Sequence, residues 1–197
     1  MKAGWTLLLA VAAWFLLTPH AMAQAASLPN PALVASCERK LQALEKNAAQ
    51  AHPDLSPTEF SEQEINAYFA SGNVQLPTGV QSVVFQEQPG MVIGTARVDF
   101  DRLKAGKSSY NPLLSVFSGV HDVVVTAHAY GARGQGIVQV DSVSLDGVEV
   151  PRFALELFAE KYLKPKYPDV GLDSRFALPA RVDAATIGLH EVTVTQR

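Results

Sequence analysis

A single cysteine, Cys37, in 197 residues leaves no partner for an internal disulfide, so the fold must rest on packing and hydrogen bonding. Charge is also scarce: Asp, Glu, Lys and Arg make up 18% of the chain, against roughly 25% in an average domain. The 16 basic residues are outnumbered by 19 acidic ones and form no cluster. That balance excludes nucleic acid as a partner, because its binding needs grouped Lys and Arg to neutralise phosphates. It equally excludes a polybasic hold on anionic headgroups, so any contact with a membrane would be through acyl chains.

The chemistry-bearing patterns are thin as well. No two histidines among His52, His121, His128 and His190 are spaced as zinc-binding pairs are, so neither a metal nor a cofactor is expected. His121 and Asp122 are adjacent on a strand and point to opposite faces, and His128 reads as a half-buried strand histidine. Gly131, Gly134 and Gly136 lie between two strands with no helix following, which makes a hairpin turn and not a phosphate cradle. No serine sits in a nucleophile elbow. Asp99 and Asp101 are two apart on a predicted strand and share a face, as paired acid and base carboxylates do; Arg102 and Lys104 beside them favour a charged strand end in water. No catalytic residue can be assigned, and the chain reads as a non-enzymatic protein.

What is present begins with an export signal. Lys2 precedes an almost wholly apolar run over residues 5–17, then Pro19 breaks the run and Ala21 and Ala23 supply small residues before a cleavage point at Gln24. Thirteen residues, twelve of them apolar, fall short of the roughly 20 that span a bilayer, so cleavage is expected and no transmembrane anchor remains. Val34, Ala35 and Ser36 before Cys37 imitate a lipobox but stand too far from the apolar run. The protein is therefore expected outside the cytoplasm, in the periplasm or the medium. Removing residues 1–23 leaves 15 basic against 19 acidic residues, a net charge of −4, in a chain of one-domain length.

Along the mature chain, residues 24–57 read as a proline-punctuated leader and an amphipathic helix over 33–51. Its stripe is Leu33, Cys37, Leu41, Leu44 and Ala48. Residues 58–197 read as a single α+β domain. Ser61 and Glu64 form a capping box, Phe60 and Ile65 a hydrophobic staple, and Gly72 a stop for the second helix. From Val80 the period becomes two. Hairpins are predicted over 80–88 and 91–101, and over 121–130 and 137–145, with a tight turn at Asp146 and Gly147. Pro151 starts a third helix carrying Phe153, Leu157 and Phe158, a short edge strand follows at 176–178, and 185–195 reads as one closing strand. The whole is a curved antiparallel sheet of four to six strands against two or three helices.

Met91, Val92 and Ile93 are consecutive, as are Val123, Val124 and Val125, which demands that both faces of the sheet be covered, by helices or by a ligand. Val92, Val98 and Phe100 share one face of their strand. With Phe153, Leu157 and Phe158 of the third helix they are the candidate binding residues for a lipid or other apolar small molecule. An envelope interaction module using the same apolar surface is the alternative, and an enzyme using Asp99, Asp101 and a histidine comes third.

The run from Phe60 to Phe69, Leu76-Pro-Thr-Gly-Val80, Val143-Ser-Leu-Asp-Gly-Val-Glu-Val-Pro151 and Phe176-Ala-Leu-Pro179 together resemble the LmeA-like and YpmS-like exported proteins. The resemblance spans residues 60–195. It implies a long curved sheet wrapped round a helix, similar to half of a tubular lipid-binding domain, with a phospholipid or another apolar ligand as cargo and no catalytic residue.

Overall fold

The computed structural model describes residues 29–104, 112–168 and 171–197. The predicted export signal, residues 1–23, lies outside the described residues. The first described element is helix α1, Pro31–Ala48. Asn30 caps it, its side chain accepting from the Ala32 N–H at 3.0 Å, and Pro31 occupies the first turn, where no N–H is needed. Cys37 and Leu44 are buried, with Val34 and Leu41 packed beside them, so the predicted stripe faces the common core.

Strand β1, Thr58–Ser61, leads directly into helix α2, Glu62–Ala70. Both halves of the expected capping box are formed. The Glu64 N–H donates to Ser61 Oγ at 3.2 Å, and the Ser61 N–H donates to Glu64 Oε2 at 2.9 Å. The Glu64 carboxylate also receives Lys40 Nζ at 2.7 Å, which ties α1 to α2. Burial pushes Glu64 up, but its bonds from Lys40, Ser36 and the Ser61 N–H outweigh that and bring it down to about 2. Replacing Ser61 by alanine removes one acceptor for the helix amides and is expected to lower stability by about 1 kcal/mol, read as a shifted denaturant midpoint.

Seven further strands follow: β2, Val80–Gln88; β3, Met91–Asp99; β4, Val120–Ala132; β5, Gln135–Leu145; β6, Val148–Glu149; β7, Asp173–Ala177; and β8, Val182–Ile187. Strand β9, Glu191–Gln196, ends the chain. Among the described residues these nine strands make one antiparallel, unclosed sheet. Its main path is β1-β9-β8-β4-β3-β2, with β5 on the other side of β4, joined in turn by β6 and β7. Register shifts at Val80/Ser82, Thr126/Ala127 and Val182/Ala184 bend the strands where one residue is left unpaired. The fold is thus the expected α+β curved sheet on helices, with more strands than predicted.

Two boundaries differ from the sequence reading for local reasons. Strand β3 stops at Asp99, whose carboxylate accepts from the Arg102 N–H at 3.0 Å and caps a four-residue helix α3, Phe100–Leu103. Asp99 and Asp101 therefore do not share a strand face, and Asp101 instead accepts from the Gly119 N–H at 3.1 Å and pairs with Lys104 at 3.2 Å. The closing segment is a hairpin and not one strand. Its loop, from Gly188 to His190, is held by bonds from elsewhere: the Glu62 N–H donates to His190 O at 2.9 Å and the His190 N–H to Glu87 O at 3.1 Å. By contrast Asp146 (φ 47°) and Gly147 (φ 85°) form the predicted two-residue turn.

Helix α4, Arg152–Phe158, follows Pro151 and runs on as a π-helical turn, Ala159–Leu163. Its buried face is Ala154, Leu155, Phe158, Ala159 and Tyr162, while Phe153 is 53% exposed and Leu157 39%. The helix is thus turned by about one position from the expected stripe. All the helices contribute to one apolar cluster on the concave side of the sheet. The covering expected for both sheet faces exists for one. On the outward side Ile93 and Val124 are half-buried by neighbouring strands, and Val84 is exposed.

Candidate ligand cavity

The concave side is filled unevenly. Bulky side chains descend from the helices, Cys37, Leu41 and Leu44 from α1 and Ile65 and Phe69 from α2, whereas the sheet beneath them carries Ala127, Ala129, Gly131, Gly136 and Ala185. The mismatch leaves a cavity of about 140 Å³, completed by Phe60, Phe85, Val92, Val138, Phe176, Val192 and neighbours. Phe69 and Phe85 meet edge to face at 4.8 Å at its wall.

Glycine is needed at the cavity floor for close approach. Gly131 and Gly136 are paired across β4 and β5. A Cβ on Gly131 would lie 2.8 Å from the Ala185 backbone nitrogen, and one on Gly136 would lie 2.5 Å from the Phe176 ring. The two glycines let β7 and β8 close over the end of the long hairpin and shut the cavity on that side. The turn predicted at these glycines is made by Arg133 and Gly134 alone.

One polar side chain enters this apolar lining. Glu87 follows Val83 and Phe85 on the inward face of β2, is 2% exposed, and lines the cavity. Its Oε2 has no hydrogen-bond partner among the described residues. Glu62, at the start of α2, accepts from the Glu87 N–H at 3.0 Å and pairs with His190 Nδ1 at 2.7 Å. Burial, with the Glu62 carboxyl beside it, pushes Glu87 up to about 7. Burial raises Glu62 too, but its bonds from His190 and the Glu87 N–H prevail and hold it below the usual range. The Glu62 carboxylate in turn holds His190 above the ordinary histidine value. Two carboxyls so close cannot both ionise at low cost, and the proton belongs to the more deeply buried Glu87. Cys37, also on the wall, is pushed up to about 12 by burial and by nearby Glu64, so its thiol stays neutral.

Of the residues expected to bind ligand, Val92 lines this cavity. Val98, Phe100 and Phe158 lie elsewhere on the concave side, where Phe158 stacks among Phe100 at 5.6 Å, Phe117 at 4.4 Å and Tyr162 at 5.2 Å. Phe153 and Leu157 face outward from α4. The space therefore opens against α1 and α2, not against the helix after Pro151. Glu87 is legible in the sequence as a carboxyl on the apolar face of an alternating strand. His190 and Glu62 are 128 positions apart, and no local pattern joins them.

The other histidines stand apart from the cavity. His121 bonds through Nδ1 to Asp146 of the following turn and through Nε2 to Ser118 O at 2.7 Å. His128 is 57% exposed, not half-buried, because it lies on the outward face, where it pairs with Asp141 at 2.7 Å. Among the described residues no three His, Cys, Asp or Glu side chains converge as a metal site. Comparison of the chain with family models, with curated proteins and with solved structures found no match.

Proposed function

We propose that this protein is an exported, non-enzymatic binder of an apolar molecule, held between the sheet and helices α1 and α2. The observation that carries the reading is the cavity itself: about 140 Å³ of space within the apolar core, lined by aliphatic and aromatic groups with one carboxyl. Protein interiors ordinarily leave few apolar spaces larger than a water molecule, so a hollow of this size lined by hydrocarbon is suited to an apolar occupant. Its volume is close to the roughly 150 Å³ that admits a benzene and below the roughly 300 Å³ at which drug-sized pockets begin. A compact apolar molecule, or one segment of an acyl chain, suits it better than a whole phospholipid. The likeness of residues 60–195 to the LmeA-like and YpmS-like proteins points toward the same class of cargo.

Toluene titrated into the purified protein should bind with measurable heat and shift the methyl resonances of Val92 and Ala127. Ala127 is 2% exposed and faces the hollow, so Ala127→Leu should fill part of it. Toluene affinity is expected to fall by more than tenfold, while stability is kept or rises by about 1 kcal/mol. An Ala127→Leu protein that unfolds would mean the site is close-packed.

One observation favours a second reading. Phe153 and Leu157 on α4, with Leu113 and Val116 on the adjoining segment, leave large apolar side chains exposed. Such a patch is the composition of a docking surface, as an envelope interaction module would require. Failure of every apolar probe to bind the cavity would put that reading first.

A further inference from the structure

The cavity walls are hydrocarbon except at one point, and that point defines what kind of ligand end belongs there. Glu87 is 2% exposed, yet one of its carboxyl oxygens, Oε2, meets no donor among the described residues. Leaving a buried acceptor unpaired is unfavourable by more than a made hydrogen bond is favourable, so a matching donor supplied by a ligand removes a standing cost. Resting on the binding reading above, we propose that Glu87 is the polar anchor of the cavity and that the ligand is a compact apolar molecule bearing one hydroxyl donor, which Oε2 accepts.

The surroundings decide between donor types. The groups that face Glu87 are Glu62 from α2 and His190 from the β8–β9 loop, and Cys37 of α1 also lines the cavity. His190 Nδ1 bonds Glu62 at 2.7 Å, and the Glu87 N–H bonds the same carboxylate at 3.0 Å, so Glu62 is kept ionised. Glu87 is left as the neutral member, its O–H directed to Glu62 and its carbonyl-type oxygen free. A neutral hydroxyl can bond that oxygen without bringing a charge into hydrocarbon. A carboxylate would face two acidic groups and find no donor, and an ammonium would have to be buried with its charge.

A matched series tests this in the intact protein: benzyl alcohol, toluene, benzoate and benzylamine, which share a ring and differ in the polar end. Calorimetric titration at pH 6 should rank benzyl alcohol tightest, with toluene about tenfold weaker, the worth of one hydrogen bond, and benzoate weaker still. Glu87→Leu, similar in bulk and without the acceptor, should abolish the preference for benzyl alcohol while toluene still binds. Glu87→Gln, which keeps an oxygen acceptor and an N–H for Glu62, should retain the preference. Equal preference in the parent and Glu87→Leu would overturn the anchor, as would tighter binding of benzylamine or benzoate than of benzyl alcohol. If toluene binds but benzyl alcohol gains nothing over it, the anchor fails and the binding reading stands. If none of the four binds, both fall together.

Discussion

Phe158→Ala is expected to lower the unfolding free energy by about 3–5 kcal/mol and to leave toluene affinity at the cavity unchanged. Phe158 is 3% exposed and touches three other rings, Phe100, Phe117 and Tyr162, so its removal opens a void among side chains that cannot easily collapse into it. None of these four rings lines the cavity against α1 and α2. The two ends of the concave side are thus separable, one a packed aromatic cluster and the other a hollow. A loss of this size is a large share of the roughly 5–15 kcal/mol of a typical domain, so Phe158→Leu, costing roughly 1–2 kcal/mol, provides a folded companion. Denaturant melts give the stability and calorimetry the affinity. A fall in toluene affinity in the folded Phe158→Leu protein would show that the cluster and the cavity are one site.

The second expected result is a stability that declines as pH rises from 4.5 to 6.5, and that Glu87→Gln abolishes over that range. Glu87 is raised from 4.5 to about 7 by burial and by the neighbouring Glu62 carboxyl. In that window the unfolded chain has released this proton while the folded protein retains it, so the folded state binds more protons and stability falls with increasing pH. The full cost is present above pH 7 and absent below 4.5. At 1.36 kcal/mol per pKa unit the rise from 4.5 to about 7 accounts for about 3 kcal/mol. Glutamine is neutral throughout, so Glu87→Gln should match the parent near pH 4.5 and exceed it by that amount at pH 8.

The neighbours act in other windows. Glu62 lies below the usual range, so its contribution is lost only as pH falls below 4.5. His190 is raised, so its contribution is complete below 6.5 and is lost above that as pH rises through its folded value. The slope between pH 4.5 and 6.5 therefore isolates Glu87. Parallel stability curves for parent and variant across that range would mean that the Glu87 carboxyl is wet and ionised in the folded protein.

Much of the local structure was determined by the sequence alone, wherever the decisive groups lie within a few residues of one another. Ser61 and Glu64 close a capping box three residues apart, Asp146 and Gly147 adopt left-handed conformations side by side, and the stripe containing Cys37 and Leu44 recurs at helical spacing. The α+β class followed from these elements and their order. What the tertiary structure decided depends on residues far apart in the chain. The hairpin that replaces the expected closing strand is held by Glu62 and Glu87, and the orientation of α4 is set by Phe100 and Phe117, neither of which any periodicity connects to it. The cavity is the extreme case, because a void is not a property of any residue. It arises where large side chains of α1 and α2 fail to reach alanines and glycines on three different strands, and only the packed arrangement sets that gap. The same holds for Glu87, an ordinary glutamate in sequence whose neutrality is imposed by the burial and the second carboxyl that folding brings to it.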